Sequence, residues 1–165
     1  MEQKAKEFSK KCHEGQFRKD GKTPYFEHPK AVVDILKNIG VEDEEILSAA
    51  WLHDVIEDCG ITKKQLEREF NPNVARIVQA LTRDCSGGEY NKKIIESDYS
   101  VKIIKIADVV HNILTLHNVS GKSMRKKIEQ CLETYFKMAE EISPELHYKL
   151  RKYTLPYIHF GKGKE

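Results

Sequence analysis

Apolar residues recur at spacings of three and four along almost the whole of this 165-residue chain. That spacing matches the helical repeat, and no segment shows the strict alternation that is typical of a half-buried strand. The pattern therefore predicts an all-α fold. Since a chain of this length can bury one sizeable core, we expect a single-domain helical bundle over residues 1–160, with a flexible tail at 161–165.

Local signals at helix ends divide the bundle into eight or nine helices. Pro29 suits a first helical position, and Gly40 suits the position just past a helix end. Asp43 suits an N-cap, and Thr62 with Gln65 three residues later has the capping-box pattern. The predicted helices cover 3–14, 29–39, 44–58, 63–70, 73–84, 100–118, 123–142 and a last short helix that Ser143-Pro144 opens, and the predicted loops include 15–28 and 84–90.

The charge balance excludes several classes of function. The chain has 28 basic and 26 acidic side chains, with a formal charge of +2 and with the two signs interspersed. A dedicated nucleic-acid-binding domain usually has a strong basic excess, so we expect no nucleic-acid partner. The sequence has no apolar run of roughly 18 residues and no apolar core of a secretory signal near its start. We therefore expect a cytoplasmic protein without a membrane partner.

The cysteines do not suggest a site of their own. Cys12, Cys59, Cys85 and Cys131 are far apart and form no closely spaced pair. Their spacing therefore indicates neither a zinc knuckle nor a thioredoxin-type redox site. In a chain without a secretory signal, reduced thiols are the expected state.

The predicted helix at 44–58 carries most of the candidate chemistry. It is apolar on nearly every side, which predicts burial, yet its last turns contain His53, Asp54, Glu57 and Asp58. Three carboxylates at the C-terminal end of a helix oppose the helix dipole and repel one another. A divalent cation ligated by His53 and Asp54 would offset that charge and leave Glu57 and Asp58 for proton transfer. The alternative is a solvated acidic helix end beside a hydrogen-bonded core histidine.

A second set of polar residues lies on the predicted helix at 100–118, which is otherwise apolar. These residues recur at steps of three and four and so share one stripe: Lys102, Lys105, Asp108, Asn112 and Thr115. The stripe predicts either a cavity or a strip exposed to solvent. Because Asp108 is flanked by apolar residues, we favour the cavity, with His111 as a candidate for supporting a ligand there.

The loop at 15–28 is long for a compact domain, and such loops are often functional. It contains Arg18, Lys19 and Lys22, whose side chains are the usual holders of phosphate groups. His28 stands where the next helix begins and could ligate a metal. The alternative for each of these residues is an ordinary solvated surface or core position.

Taken together, a histidine, a His–Asp pair and a later aspartate follow the ligand pattern of the HD phosphohydrolase superfamily. Three segments resemble the hydrolase domain of the RelA/SpoT alarmone enzymes, and in particular their free-standing hydrolases: HEGQFRKDGKTPYFEHPKAVVDIL, AAWLHDVIEDCGIT and VKIIKIADVVHNILTL. The resemblance covers about residues 4–140, with the three motifs in the right order. It implies an HD-type helical fold.

The resemblance also implies an activity, namely hydrolysis of the 3′-pyrophosphate of (p)ppGpp to GDP or GTP and pyrophosphate. The implied ligands of one Mn²⁺ are His28, His53, Asp54 and Asp108. The implied catalytic pair, which activates or orients the attacking water, is Glu57 and Asp58. The implied contacts to the nucleotide are Arg18, Lys19, Asn112 and Tyr135.

Two features depart from the pattern of that family. Val109 stands where a basic residue commonly follows the last aspartate. The segment 83–99 is shorter than in relatives, where it often borders the substrate pocket with basic residues that Lys92 and Lys93 would have to replace. Neither departure touches the implied metal ligands, so they bear on the identity of the substrate more than on hydrolysis.

Two other interpretations stay open on the sequence alone. The same machinery could act on another nucleotide, such as an adenine alarmone, a nucleoside monophosphate or NADPH, because one fold hosts many substrates. The chain could instead be a non-catalytic module that binds metal or nucleotide. Against this second interpretation, a binding module has no need of both Glu57 and Asp58. We see no synthetase or regulatory domain, so we expect hydrolysis alone, and the sequence indicates no oligomeric state.

Overall fold

The computed structural model describes residues 1–115, 128–129 and 131–160, and these ranges form an α-helical bundle without a strand. The helices are α1 Glu2–Cys12, α2 Glu27–Asn38, α3 Glu44–Leu52, α4 Val55–Cys59, α5 Lys63–Glu69, α6 Pro72–Leu81, α7 Gly87–Glu96, α8 Tyr99–Leu114, a π-helical turn Cys131–Tyr135, α9 Phe136–Ile142 and α10 Pro144–Phe160. An isolated bridge between Phe17 and Pro24 closes the base of the loop between α1 and α2. The predicted all-α class is confirmed.

The predicted signals at helix ends are present as hydrogen bonds. The Asp43 carboxylate accepts from the backbone N–H groups of Glu45 and Ile46 at the start of α3. Thr62 and Gln65 form both bonds of a capping box at the start of α5. Gly40, two residues after α2, has φ +84°, a conformation that side-chain-bearing residues rarely adopt.

Helix α3 is the centre of the core. Its residues from Ile46 to Leu52 are all buried, and it packs against α1, α2 and α6. Helix α8 contributes a second buried face, which contacts α2, α6 and α10. Because α2 packs against both α3 and α8, the three elements that carry the predicted metal ligands meet in one place.

The prediction of one continuous helix over 44–58 is wrong. Helix α3 ends at Leu52, His53 and Asp54 form a turn, and α4 begins at Val55. Glu57 and Asp58 therefore lie in the first turn of a new helix rather than at the end of an old one. Because α4 has only five residues, these two side chains do not lie at the C-terminal end of a long helix, and the predicted conflict with the dipole of such a helix does not arise.

The predicted loop at 84–90 is partly wrong as well. Helix α7 begins at Gly87, and Ser86 with Glu89 forms a capping box at its start. This S-x-x-E pattern was readable in the sequence. The parts of the predicted helices at 116–118 and 123–127, and the tail at 161–165, lie outside the described residues. The limits of the domain at 1–160 therefore stay a prediction.

Cys12, Cys59 and Cys85 are free thiols, as predicted, and the side chain of Cys131 lies outside the described part of the chain. Among the helices that the structure describes, none combines the length and the apolar character needed to cross a membrane.

Candidate functional site

A cavity of about 190 Å³ lies where α2, α8 and the turn between α3 and α4 meet. It is lined by Arg18, Tyr25, His28, His53, Asp54, Glu57, Leu81, Arg83, Tyr90, Lys105, Asp108 and Asn112. Three of the five residues in the polar stripe predicted on α8 line this cavity. The predicted site residues that do not line it are Lys19, Asp58 and Tyr135.

Two imidazole nitrogens and two carboxylate oxygens converge at the floor of the cavity. The Nε2 atoms of His28 and His53 lie 3.2 Å apart. Asp54 Oδ2 is 3.1 Å from Nε2 of His53 and 3.5 Å from Nε2 of His28. Asp108 Oδ1 is 3.1 Å from Nε2 of His28. The atoms of His28, His53 and Asp108 are close enough together to hold one metal ion.

The electrostatics of this cluster favour a positive charge at its centre. His53 Nδ1 lies 2.7 Å from the Ala50 carbonyl, so Nδ1 carries the proton and Nε2 faces the cluster. Burial alone would lower the pKa of His53, but the Asp54 and Asp108 carboxylates raise it to about 9. A divalent cation would replace the proton that His53 then carries on Nε2, because a set of two neutral imidazoles and two carboxylates suits such a cation. The residues present therefore form a candidate divalent-metal site.

Asp108 is buried in a network of donors. Lys105 Nζ lies 2.9 Å from its Oδ2 atom, and the side chains of this pair are only 13% and 10% exposed. Asn112 Nδ2 donates to Oδ1. Although burial opposes ionisation, Lys105 and His28 hold the pKa of Asp108 well below its usual range. Lys105 thus pairs with one oxygen of the Asp108 carboxylate, and the other oxygen faces His28.

Two aromatic side chains support the cluster from outside. The Tyr25 hydroxyl donates to Asp54 Oδ2 at 2.7 Å, and the Tyr25 ring stacks on His13 at 4.7 Å between ring centroids. The Nδ1 atoms of His28 and His111 lie 2.6 Å apart. His111 was predictable from its place beside the polar stripe of α8, whereas Tyr25 was not, because a single tyrosine in a loop belongs to no periodic pattern.

Replacing Tyr25 with phenylalanine is expected to lower the affinity for a divalent metal by about tenfold. The reason is that removing a hydrogen-bond partner of a metal ligand typically costs about 10–100-fold in metal affinity. Titration of the metal-free protein with Mn²⁺ measures the affinity. The matched control is Tyr99→Phe, since Tyr99 is 49% exposed and lies outside the cavity. Equal affinity in the two variants would remove Tyr25 from the site.

The predicted nucleotide contacts differ in their placement. Arg18 Nη2 donates to Asn112 Oδ1 at 3.1 Å and to Thr115 Oγ1 at 3.5 Å. Lys19, the next residue on the loop, is exposed. Tyr135 is 3% exposed, and its hydroxyl donates to Asn91 at 3.0 Å.

The two residues of the predicted catalytic pair, Glu57 and Asp58, also differ in their placement. Glu57 lines the cavity, and its Oε2 accepts from the backbone N–H of Arg83 at 3.0 Å. Asp58 is exposed, and its backbone carbonyl accepts from Gln16 Nε2 at 3.2 Å. The two carboxylates are thus neighbours in sequence with different surroundings, and only Glu57 reaches the cavity wall.

The short segment 83–99 supplies a basic residue to the cavity, but not one of the two lysines considered. Lys92 pairs with Glu96 at 3.9 Å, and Lys93 binds Asp84 at 3.3 Å and the carbonyls at the end of α6. Arg83 lines the cavity instead. Val109, at the position that is commonly basic in the resembled family, is 9% exposed and belongs to the core.

Comparison with known proteins agrees with this geometry. Residues 5–86 match the family model described as HD domain. A guanosine-3′,5′-bis(diphosphate) 3′-pyrophosphohydrolase of Haemophilus influenzae is 37% identical over 146 residues, which cover 81% of this chain and 21% of that protein. The chain spans only about a fifth of the length of such bacterial relatives.

Smaller relatives match over most of their length. The MESH1 guanosine-3′,5′-bis(diphosphate) 3′-pyrophosphohydrolase of Xenopus tropicalis is 32% identical over 146 residues, covering 84% of this chain and 80% of that protein. The solved structure of a metazoan SpoT orthologue, described as hydrolysing ppGpp, superposes with a TM-score of 0.86 at 25% identity and covers 94% of each chain. The chain therefore belongs to the HD-domain family that includes the MESH1 proteins.

Proposed function

We propose that this chain hydrolyses the 3′-pyrophosphate of (p)ppGpp, which gives GDP or GTP and pyrophosphate. The observation that carries the proposal is the convergence of His28, His53, Asp54 and Asp108 in a cavity that also contains Glu57 and three basic side chains. The names of the relatives that match over most of their length support the same reaction.

We assign the cation to one Mn²⁺ with His28, His53, Asp54 and Asp108 as its ligands. Mn²⁺ accepts carboxylate oxygens readily, and two of the four donors here are carboxylates. A divalent cation at this position would draw charge from a phosphate oxygen and so make the phosphorus easier to attack. The hydrogen bonds from Tyr25 to Asp54 and from Asn112 to Asp108 orient the two carboxylates.

The side chains at the cavity wall have separable roles in this reaction. Water forms a bond to the phosphorus next to the ribose, the bond from that phosphorus to the 3′ oxygen breaks, and the 3′ oxygen takes a proton. Glu57 is placed to accept the proton from water, because it is the lining carboxylate that is not assigned to the cation, and it is held at the wall by the backbone N–H of Arg83. Asp58, exposed on the same helix turn, is assigned to orienting water at the entrance.

The proposed substrate is anionic, so we expect positively charged side chains of the protein to contact it. Arg18 lies at the wall beside Asn112, and we assign both to the nucleotide. Arginine binds phosphate oxygens through its planar fork of donors. Lys19 and Tyr135 stay predictions from the resemblance, since neither lines the cavity.

The experiment that tests the proposal is incubation of the purified protein with ppGpp and Mn²⁺, followed by quantification of GDP and pyrophosphate. We expect the two products in equal amounts, loss of both in Asp54→Ala, and loss after chelation that fresh Mn²⁺ reverses. Circular dichroism of Asp54→Ala checks that the variant is folded. No release of pyrophosphate from a folded protein with bound Mn²⁺ would overturn the assignment of the substrate.

A further inference from the structure

Arg83 lines the cavity, and its guanidinium group makes no hydrogen bond or ion pair with the residues that the structure describes. Its backbone N–H binds Glu57. The guanidinium carbon lies 5.0 Å from the centroid of the Tyr90 ring, and Arg83 is exposed. The neighbouring carboxylate, Asp84, is bound by Lys93 instead.

The aromatic ring that this guanidinium lies over is well defined by its surroundings. Tyr90 is 1% exposed, and its hydroxyl donates to the Leu81 carbonyl at 2.6 Å, so the ring beneath Arg83 is fixed. Thr82, which ends α6, donates to the Val78 carbonyl at 2.9 Å. The ring beneath Arg83 is therefore held in place, while the guanidinium above it is exposed and accessible to an anion.

The other two cations of the cavity are already engaged. Lys105 is paired with Asp108 at 2.9 Å, and Arg18 donates to Asn112 and Thr115. Arg83 is thus the lining cation whose side chain, among the described residues, has no hydrogen bond or ion pair to break when it binds an anion. Its attachment to Glu57 places it at the end of the cavity where the proposed reaction takes place.

We infer that Arg83 binds the pyrophosphate group that is transferred to water and determines the affinity of the site for that group. The inference rests on the proposed function for the identity of the reaction, but binding of pyrophosphate can be measured without turnover. A planar guanidinium can bind two phosphate oxygens at once. GDP, the other product, has lost the 3′-pyrophosphate and keeps only its 5′-diphosphate, so Arg83 on this inference distinguishes the 3′ from the 5′ phosphate groups of the substrate.

The test is titration of inorganic pyrophosphate into the Mn²⁺-loaded protein, in the same solutions for every variant so that chelation of Mn²⁺ affects each equally. We expect R83Q to bind pyrophosphate about tenfold more weakly than the original protein. R83K keeps the positive charge but lacks the planar guanidinium, so its affinity for pyrophosphate should lie between that of R83Q and that of the original protein. Affinity for GDP is expected to be unchanged in both variants.

The matched control is K92Q, which removes one positive charge from an exposed residue of the same segment that pairs with Glu96 outside the cavity. It should bind pyrophosphate as the original protein does. Equal pyrophosphate binding in R83Q and K92Q would overturn the inference, and so would a loss of GDP affinity in R83Q. If ppGpp is not hydrolysed but R83Q alone loses pyrophosphate binding, the proposed substrate fails and the Arg83 subsite stands.

Discussion

Replacing Asp108 with alanine is expected to lower the free energy of unfolding by about 3–5 kcal/mol, because it leaves a buried ammonium group without its partner. Lys105 is 13% exposed and has its ion pair with Asp108 at 2.9 Å. The same variant should lose bound metal. Urea denaturation in metal-free buffer measures the stability, and elemental analysis of the folded protein measures the metal content.

Two further variants separate the effects of charge and metal in this experiment. Asp108→Ala combined with Lys105→Met removes both charges, and we expect it to recover most of the stability but none of the metal binding. Asp34→Ala removes an exposed carboxylate from α2, and a change within about 0.5 kcal/mol is expected. If Asp108→Ala unfolds at the same urea concentration as Asp34→Ala, the buried pair does not stabilise the fold.

Replacing Glu57 with glutamine is expected to lower kcat by about 10²–10⁴-fold while metal content and fold are retained. The amide keeps the shape of the carboxylate, and its oxygen can still accept from the backbone N–H of Arg83. What the variant loses is the ability to take a proton from water. The measurement is steady-state release of pyrophosphate from ppGpp at saturating Mn²⁺.

The control for Glu57 is Glu96→Gln, which makes the same chemical change on an exposed residue of α7. Its kcat should match that of the original protein. Hydrolysis by Glu57→Gln at the original rate would mean that another group accepts the proton, and Asp58→Asn would then be the variant to measure.

The helices and the convergence of the proposed metal ligands were predictable because they depend on patterns within the chain or on the family resemblance. The spacing of apolar residues predicts which faces of α3 and α8 are buried, and it sets Asp108 against its apolar neighbours. The capping residues Asp43 and Thr62 mark helix starts by local hydrogen bonds. Resemblance to a known family then linked His28 with residues that lie far away in the sequence.

The remaining features depend on contacts that no local pattern encodes. The turn at His53 and Asp54 interrupts a segment whose apolar residues favour a continuous helix, so propensity was overridden by packing. Tyr25 reaches Asp54 across 29 positions of the chain. Arg83 lines the cavity while the neighbouring Asp84 pairs with Lys93 of α7, and such a choice of partners depends on where α7 packs.

The contact between His28 and His111 joins residues 83 positions apart in the chain. A contact between residues so far apart closes a large loop, which costs conformational entropy. It should therefore form late in folding, when most of the core is already formed. We therefore expect the docking of α8 on α2 to belong to the cooperative folding transition. The amides of both helices should then exchange with deuterium through the same opening event. A partly unfolded chain would then have no partial cluster of the proposed metal ligands that could bind a metal ion.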